Sequence, residues 1–135
     1  MKASDFMIGD WVDIFPTYCQ VLSIGKKGRI YTTTVSNYKV ESDIGVFINN
    51  EILEANGFVR KYDDSDLDFY WEEGKQHIEI WKRCNLWYIQ TWINHDTSDL
   101  FLSIKYVHEL QHAMRLMGLI ELADNFKVEK GGHHE

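Results

Sequence analysis

The chain has 135 residues and a formal charge of −7, from 21 Asp and Glu against 14 Lys and Arg, with a sequence pI near 5.3. A length like this suits one compact domain that buries roughly 70% of its unfolded surface, so it needs no metal or disulfide staple. The acid excess argues against general attachment to nucleic-acid backbones, and no run approaches the ~18 apolar residues of a membrane span.

Five Trp, seven Tyr and seven Phe, with a single Pro, favour strands. Residues 8–12, 20–24, 29–35 and 38–40 read as short strands, the second stopped by Gly25-Lys26-Lys27-Gly28. Strands this short, with Gly-containing turns, predict a small, strongly bent barrel over residues 1–47. The opening G-D-x-V at Gly9-Asp10-Trp11-Val12 resembles that of SH3-like barrels.

Residues 49–57 read as a short helix, with an Asn at its N-cap and Gly57 at the left-handed C′ position. A β-meander follows over 58–62, 67–73, 77–82 and 86–93. Strand alternation in the last of these puts Trp87, Ile89, Thr91 and Ile93 on one face, with Leu86, Tyr88, Gln90 and Trp92 on the other. A final helix is predicted over 104–117, with Val107, Leu110, Met114 and Met117 as its buried stripe and Gly118 as its stop. The polar stretch 127–135 reads as a frayed tail.

One local pattern names a chemistry. His108-Glu109-Leu110-Gln111-His112 reads H-E-x-x-H, in which two His on one helix face grip Zn²⁺ and the Glu deprotonates a bound water. His108 and His112 lie about 40° apart at 100° per residue, opposite the apolar stripe, which predicts a solvent-facing pair. The G-x-x-H extension is missing: Arg115 stands where its Gly belongs and Gly118 where its third His belongs. Glu121, Asp124, Glu129, His133 and His134 remain as third-ligand candidates. Asp63, Asp64, Asp66 and Asp68 lack the order of a Ca²⁺ loop and read as a solvated hairpin turn. Neither a P-loop nor a dinucleotide fingerprint occurs. Cys19 and Cys84 form no C-x-x-C pair, and with no signal peptide in view they read as reduced thiols in the cytoplasm.

Several stretches together resemble a family of small uncharacterised proteins abundant in Bacteroides-type gut bacteria, their phages and mobile elements. They are Ile8-Gly9-Asp10-Trp11-Val12, Asn50-Glu51-Ile52-Leu53-Glu54-Ala55-Asn56-Gly57-Phe58, and Ile104-Lys105-Tyr106-Val107-His108 followed by Leu110-Gln111. The resemblance spans most of the chain and implies a fold and a genomic setting rather than an activity. That family's helix usually carries Gln where Glu109 stands and Asn where His112 stands, so this chain departs at two zinc-motif positions.

These readings predict one α+β domain: an SH3-like lobe over 1–47, then a short helix, meander and C-terminal helix over 48–126, with the meander packed on that helix. The expected role is non-enzymatic, an accessory protein of phage or mobile-element type. It is expected to bind another protein, basic in character, or a second copy of itself, without a cofactor. The expected surface is acidic and aromatic, with Tyr70, Trp81, Tyr88 and Trp92 at its centre. The alternative is a minimal zinc-dependent hydrolase using His108, His112 and Glu109.

Overall fold

The computed structural model describes residues 1–61, 68–93 and 97–128, and the backbone alone at 93 and 97–101. The chain is mixed α+β, built mainly from antiparallel strands in two sheets, one of them curled into a half-barrel. It divides into two compact units: Met1–Phe47 together with Tyr106–Glu135, and Ile48–Lys105. No helix among the described residues is long and apolar enough to cross a membrane.

The first unit opens with a 3₁₀ turn at Ala3–Asp5, then β1 (Trp11–Ile14), β2 (Thr17–Ile24), β3 (Arg29–Thr32) and β4 (Tyr38–Lys39), paired in sequence order. Strand alternation sends Val12, Ile14, Cys19, Val21 and Ile30 inward, where they pack with Ala3, Phe6 and Ile44. The β2–β3 register shifts between Val21 and Ser23, an irregularity of the kind that sharpens strand twist.

A segment beyond β4 ties this sheet to the C-terminal part of the chain. Gly45 bridges Val12, and Phe47 bridges Tyr106. Gly45 is held to glycine by space, because an added Cβ would fall within the Tyr106 ring.

The helix α2 (Val107–Leu116) follows, with Val107, Leu110, Ala113 and Met114 buried. Gly118, at φ +83°, ends it. The Leu119 amide donates to Met114 O at 2.9 Å and the Gly118 amide to Arg115 O at 3.0 Å, the bond pair of a Schellman cap. A last short helix, α3 (Ile120–Asp124), packs beside α2.

The second unit starts with α1 (Asn50–Ala55). Its predicted caps form: Asn49 Oδ1 accepts from the Ile52 amide at 2.8 Å, and Gly57 adopts φ +87°. A five-stranded meander follows: β5 (Val59–Arg60), β6 (Asp68–Glu73), β7 (Gln76–Arg83), β8 (Leu86–Ile93) and β9 (Thr97–Ile104). The β7–β8 turn places Cys84 and Asn85 at φ +52° and +72°, as a two-residue type I′ turn requires. Phe69, Trp71, Ile78, Ile80, Trp87 and Ile89 are buried along one face of the sheet.

Four expectations need correcting. The C-terminal helix belongs to the first unit, where it packs on β1. The lobe read as 1–47 is therefore completed by residues from the far end of the chain. Residues 97–104, left unassigned apart from the expected start of the helix, form a strand, and α2 begins only at Val107. The tail read as frayed from 127 is still packed at Val128, which is 7% exposed. The Asp63–Asp66 turn and residues 129–135 lie outside the described residues.

Leu110 is fully buried and Leu116 is 79% exposed on the same helix. Leu110→Ala is expected to cost about 2–5 kcal/mol in urea denaturation, and Leu116→Ala to stay within about 0.5 kcal/mol. Equal costs would refute this assignment of the helix face.

Candidate functional site

The H-E-x-x-H helix faces a buried carboxylate. Asp10 is fully buried just before β1. Its Oδ2 accepts from the Met7 amide at 2.8 Å and meets His112 Nε2 at 2.6 Å. Its Oδ1 accepts from Arg115 Nη1 at 2.7 Å. Arg115 Nη2 reaches on to Ile8 O and to Asp124 Oδ1, both at 3.3 Å.

Gln111, fully buried one turn after Val107, fastens the neighbouring backbone. Its Oε1 accepts from the Trp11 amide at 3.0 Å. Its Nε2 donates to Gly9 O at 3.0 Å and to Ala123 O at 2.9 Å. The Trp11 indole donates to Phe126 O at 2.6 Å. Gln111, His112 and Arg115 thus form a latch that holds residues 8–11 against α2 and α3.

The other two motif residues also have local contacts. Glu109 Oε1 accepts from the Tyr106 amide at 2.9 Å, which satisfies a donor at the helix start. His108 is only 4% exposed, a correction to the expected solvent-facing pair. Its ring stacks on Tyr106 at 5.5 Å, tilts against Phe6 at 4.8 Å and meets the His112 ring edge-on at 5.6 Å. Its Nδ1 is buried with no hydrogen-bond partner among the described residues. Burial pushes the His108 imidazole below its ordinary value; Asp10, Glu109 and Asp5 oppose this, and His112 adds to it.

His108, Glu109 and His112 line a cleft of about 340 Å³ together with Asp5, Asp43 and Tyr106. Tyr106 donates its hydroxyl to Asp43 Oδ2 at 3.2 Å. Among the described residues, no three His, Cys, Asp or Glu side chains form a group placed to hold a metal ion. Of the third-ligand candidates, Asp124 meets Arg115, and Glu129, His133 and His134 lie outside the described residues.

The second surface lies in the meander. Tyr70, Trp81, Tyr88 and Trp92 all lie on one face of the five-stranded sheet, and all are half-buried. They form two groups. Trp81 and Tyr88 are cross-strand partners with stacked rings 6.1 Å apart. His77 lies edge-on to its cross-strand partner Trp92 at 5.1 Å and is stacked with Tyr70 at 6.2 Å.

Acidic side chains lie between the rings. His77 contacts Glu72 Oε2 at 3.1 Å and Glu79 Oε1 at 3.4 Å, and Lys61 Nζ meets Glu79 Oε1 at 2.8 Å. Partial burial disfavours the Glu79 charge, but hydrogen bonds from Lys61 and His77 outweigh it and hold the carboxyl below its ordinary value. Glu72, His77, Glu79 and Trp92 line a dent of about 210 Å³.

Sequence reasoning named the four aromatics and the three motif residues, but missed Asp10, Gln111 and Arg115. A signal for two of them was present. Asp10 interrupts an apolar run, and Gln111 falls on the buried arc between Val107 and Met114. Comparison of the chain with protein-family models, curated proteins and solved structures returned no match.

The latch and the buried imidazole beside it each generate a prediction. Asp10→Ala leaves Arg115 and His112 facing an emptied, buried position and is expected to cost about 3–5 kcal/mol in urea denaturation. A cost under about 1 kcal/mol would show that the latch is not a structural tie. His108 sits below its ordinary value near 6.5 when folded, so the unfolded chain takes up a proton first as pH falls. Its contribution is therefore whole above that value and is lost as pH drops through it toward the folded one. His108→Phe should flatten the decline in stability as pH falls below about 6.5. An unchanged slope would assign that decline to other groups.

Proposed function

We propose that this protein is a non-enzymatic accessory protein that binds another, basic protein through the aromatic, acidic face of its five-stranded sheet. The observation that carries this reading is the gathering of Tyr70, Trp81, Tyr88 and Trp92 on one half-buried face. A large, stiff aromatic ring gains much by being covered and loses little conformational freedom on binding. Glu72 and Glu79 beside the rings, within a chain of charge −7, favour a basic partner and speed its approach.

The setting we infer is that of the phage and mobile-element proteins the chain resembles, with an SH3-like lobe as its first unit. Two free cysteines, Cys19 buried and Cys84 exposed, suit a cytoplasmic location. The zinc-hydrolase alternative draws less support, because His112 and Glu109 are already engaged in structural hydrogen bonds.

The test uses a partner captured by the wild-type chain and then purified, or the chain's own self-association. Trp81→Ala or Trp92→Ala is expected to weaken association at least tenfold, about 1.4 kcal/mol, with the melting transition still cooperative. A folded double variant that associates like wild type would defeat the proposal.

A further inference from the structure

We propose that the cleft at the start of α2 is a binding site for an organic cation, a guanidinium or ammonium group, received by Asp5, Asp43 and the imidazole of His108. This site belongs to the first unit and is independent of the sheet-face reading.

Charge sets the sign of the ligand. The cleft is lined by three carboxylates, Asp5, Asp43 and Glu109, and by no Lys or Arg side chain. One ammonium, that of Met1, lies 3.6 Å from Asp43 Oδ1 and offsets only one of them. A helix start ordinarily favours an anion, but here Glu109 already supplies that charge in the first turn of α2. An anionic ligand would therefore meet the repulsion of Asp5 and Glu109.

His108 supplies the second, independent observation. It lines the cleft, is 4% exposed, and its buried Nδ1 has no partner among the described residues. The side chain makes ring contacts with Phe6, Tyr106 and His112 and leaves hydrogen-bonding capacity unused. A buried polar group without a partner costs stability, and a neutral imidazole can accept from a ligand N–H. Burial favours that neutral form.

Size and geometry separate an organic cation from a metal ion. A cleft of about 340 Å³ is roomy for a bare ion and suits a guanidinium with part of its stem. A zinc site needs three protein ligands converging at ~2 Å, and among the described residues no such group exists. A guanidinium or ammonium instead uses ordinary hydrogen bonds to dispersed carboxylates.

The experiment titrates the full-length, isotopically labelled protein with N-acetyl-arginine methylamide and follows the imidazole nitrogens of His108 by NMR. Saturable shifts at His108 are expected. The neutral analogue N-acetyl-glutamine methylamide should produce none. Asp5→Asn with Asp43→Asn should weaken binding at least tenfold, and His108→Phe should weaken it while retaining the ring. Asp43 is an exposed position, so its variant reports even where His108→Phe does not fold. An arginine-containing peptide that binds more tightly than the amide assigns the site to a protein partner, and equal affinity assigns it to a free small cation. The proposal is overturned by absence of saturable shifts, by equal binding of the neutral analogue, or by unchanged affinity in the double Asn variant. One-to-one Zn²⁺ binding that blocks the amide would also overturn it.

Discussion

Asp10 has no contact with water, and a carboxyl group in that position must find hydrogen-bond partners or it costs stability. The chain meets this demand with the Met7 amide and two side chains from α2, His112 and Arg115. Much of the first unit depends on that arrangement. Holding Asp10 fixes the strand that begins at Trp11, and Gln111 then aligns the same backbone by bonding groups on either side of the carboxylate. The helix and the strand are therefore positioned by polar bonds as well as by the apolar contacts of Leu110 and Met114. Polar bonds of this kind are directional, so they select one placement of the helix where packing alone tolerates several.

The H-E-x-x-H pattern illustrates how a motif underdetermines its chemistry. Spacing of i and i+4 puts two His on one face, and that geometry serves a latch as readily as a metal. A Glu in the first helical turn is equally at home as a base or as a cap. The surroundings decide the difference. His112 sits against a carboxylate 102 residues away, a relationship that no local window contains.

Local physics made much of the second unit legible. The Asn49 and Gly57 caps, the Cys84-Asn85 turn and the strand 86–93 follow from side-chain chemistry and backbone preferences over a few residues. Alternation also grouped Tyr88 with Trp92 on one face, because a strand offers only two. Partner choice was not legible. An amphipathic stripe says that a helix buries Leu110 and Met114, but not which strands it joins, and α2 forms one unit with strands from the start of the chain. The solvent placement of His108 failed for a related reason. The buried arc of α2 is wider than its apolar residues, since His108 and Gln111 also lie inside it. In the candidate site, the aromatics and motif residues were visible as residue types, whereas Asp10 and Arg115 gain meaning only through contact.

The first unit is discontinuous: its two segments flank an entire second unit. The inserted unit begins and ends at one spot, where the Ile48 amide donates to Lys105 O at 3.3 Å. During synthesis, the early strands leave the ribosome long before the helix that completes them, while the inserted unit is already whole. For that interval Asp10 stays hydrated and the early strands lack the contacts α2 provides. The order of completion thus departs from the order of synthesis: the middle can mature first, and the beginning must wait for the end.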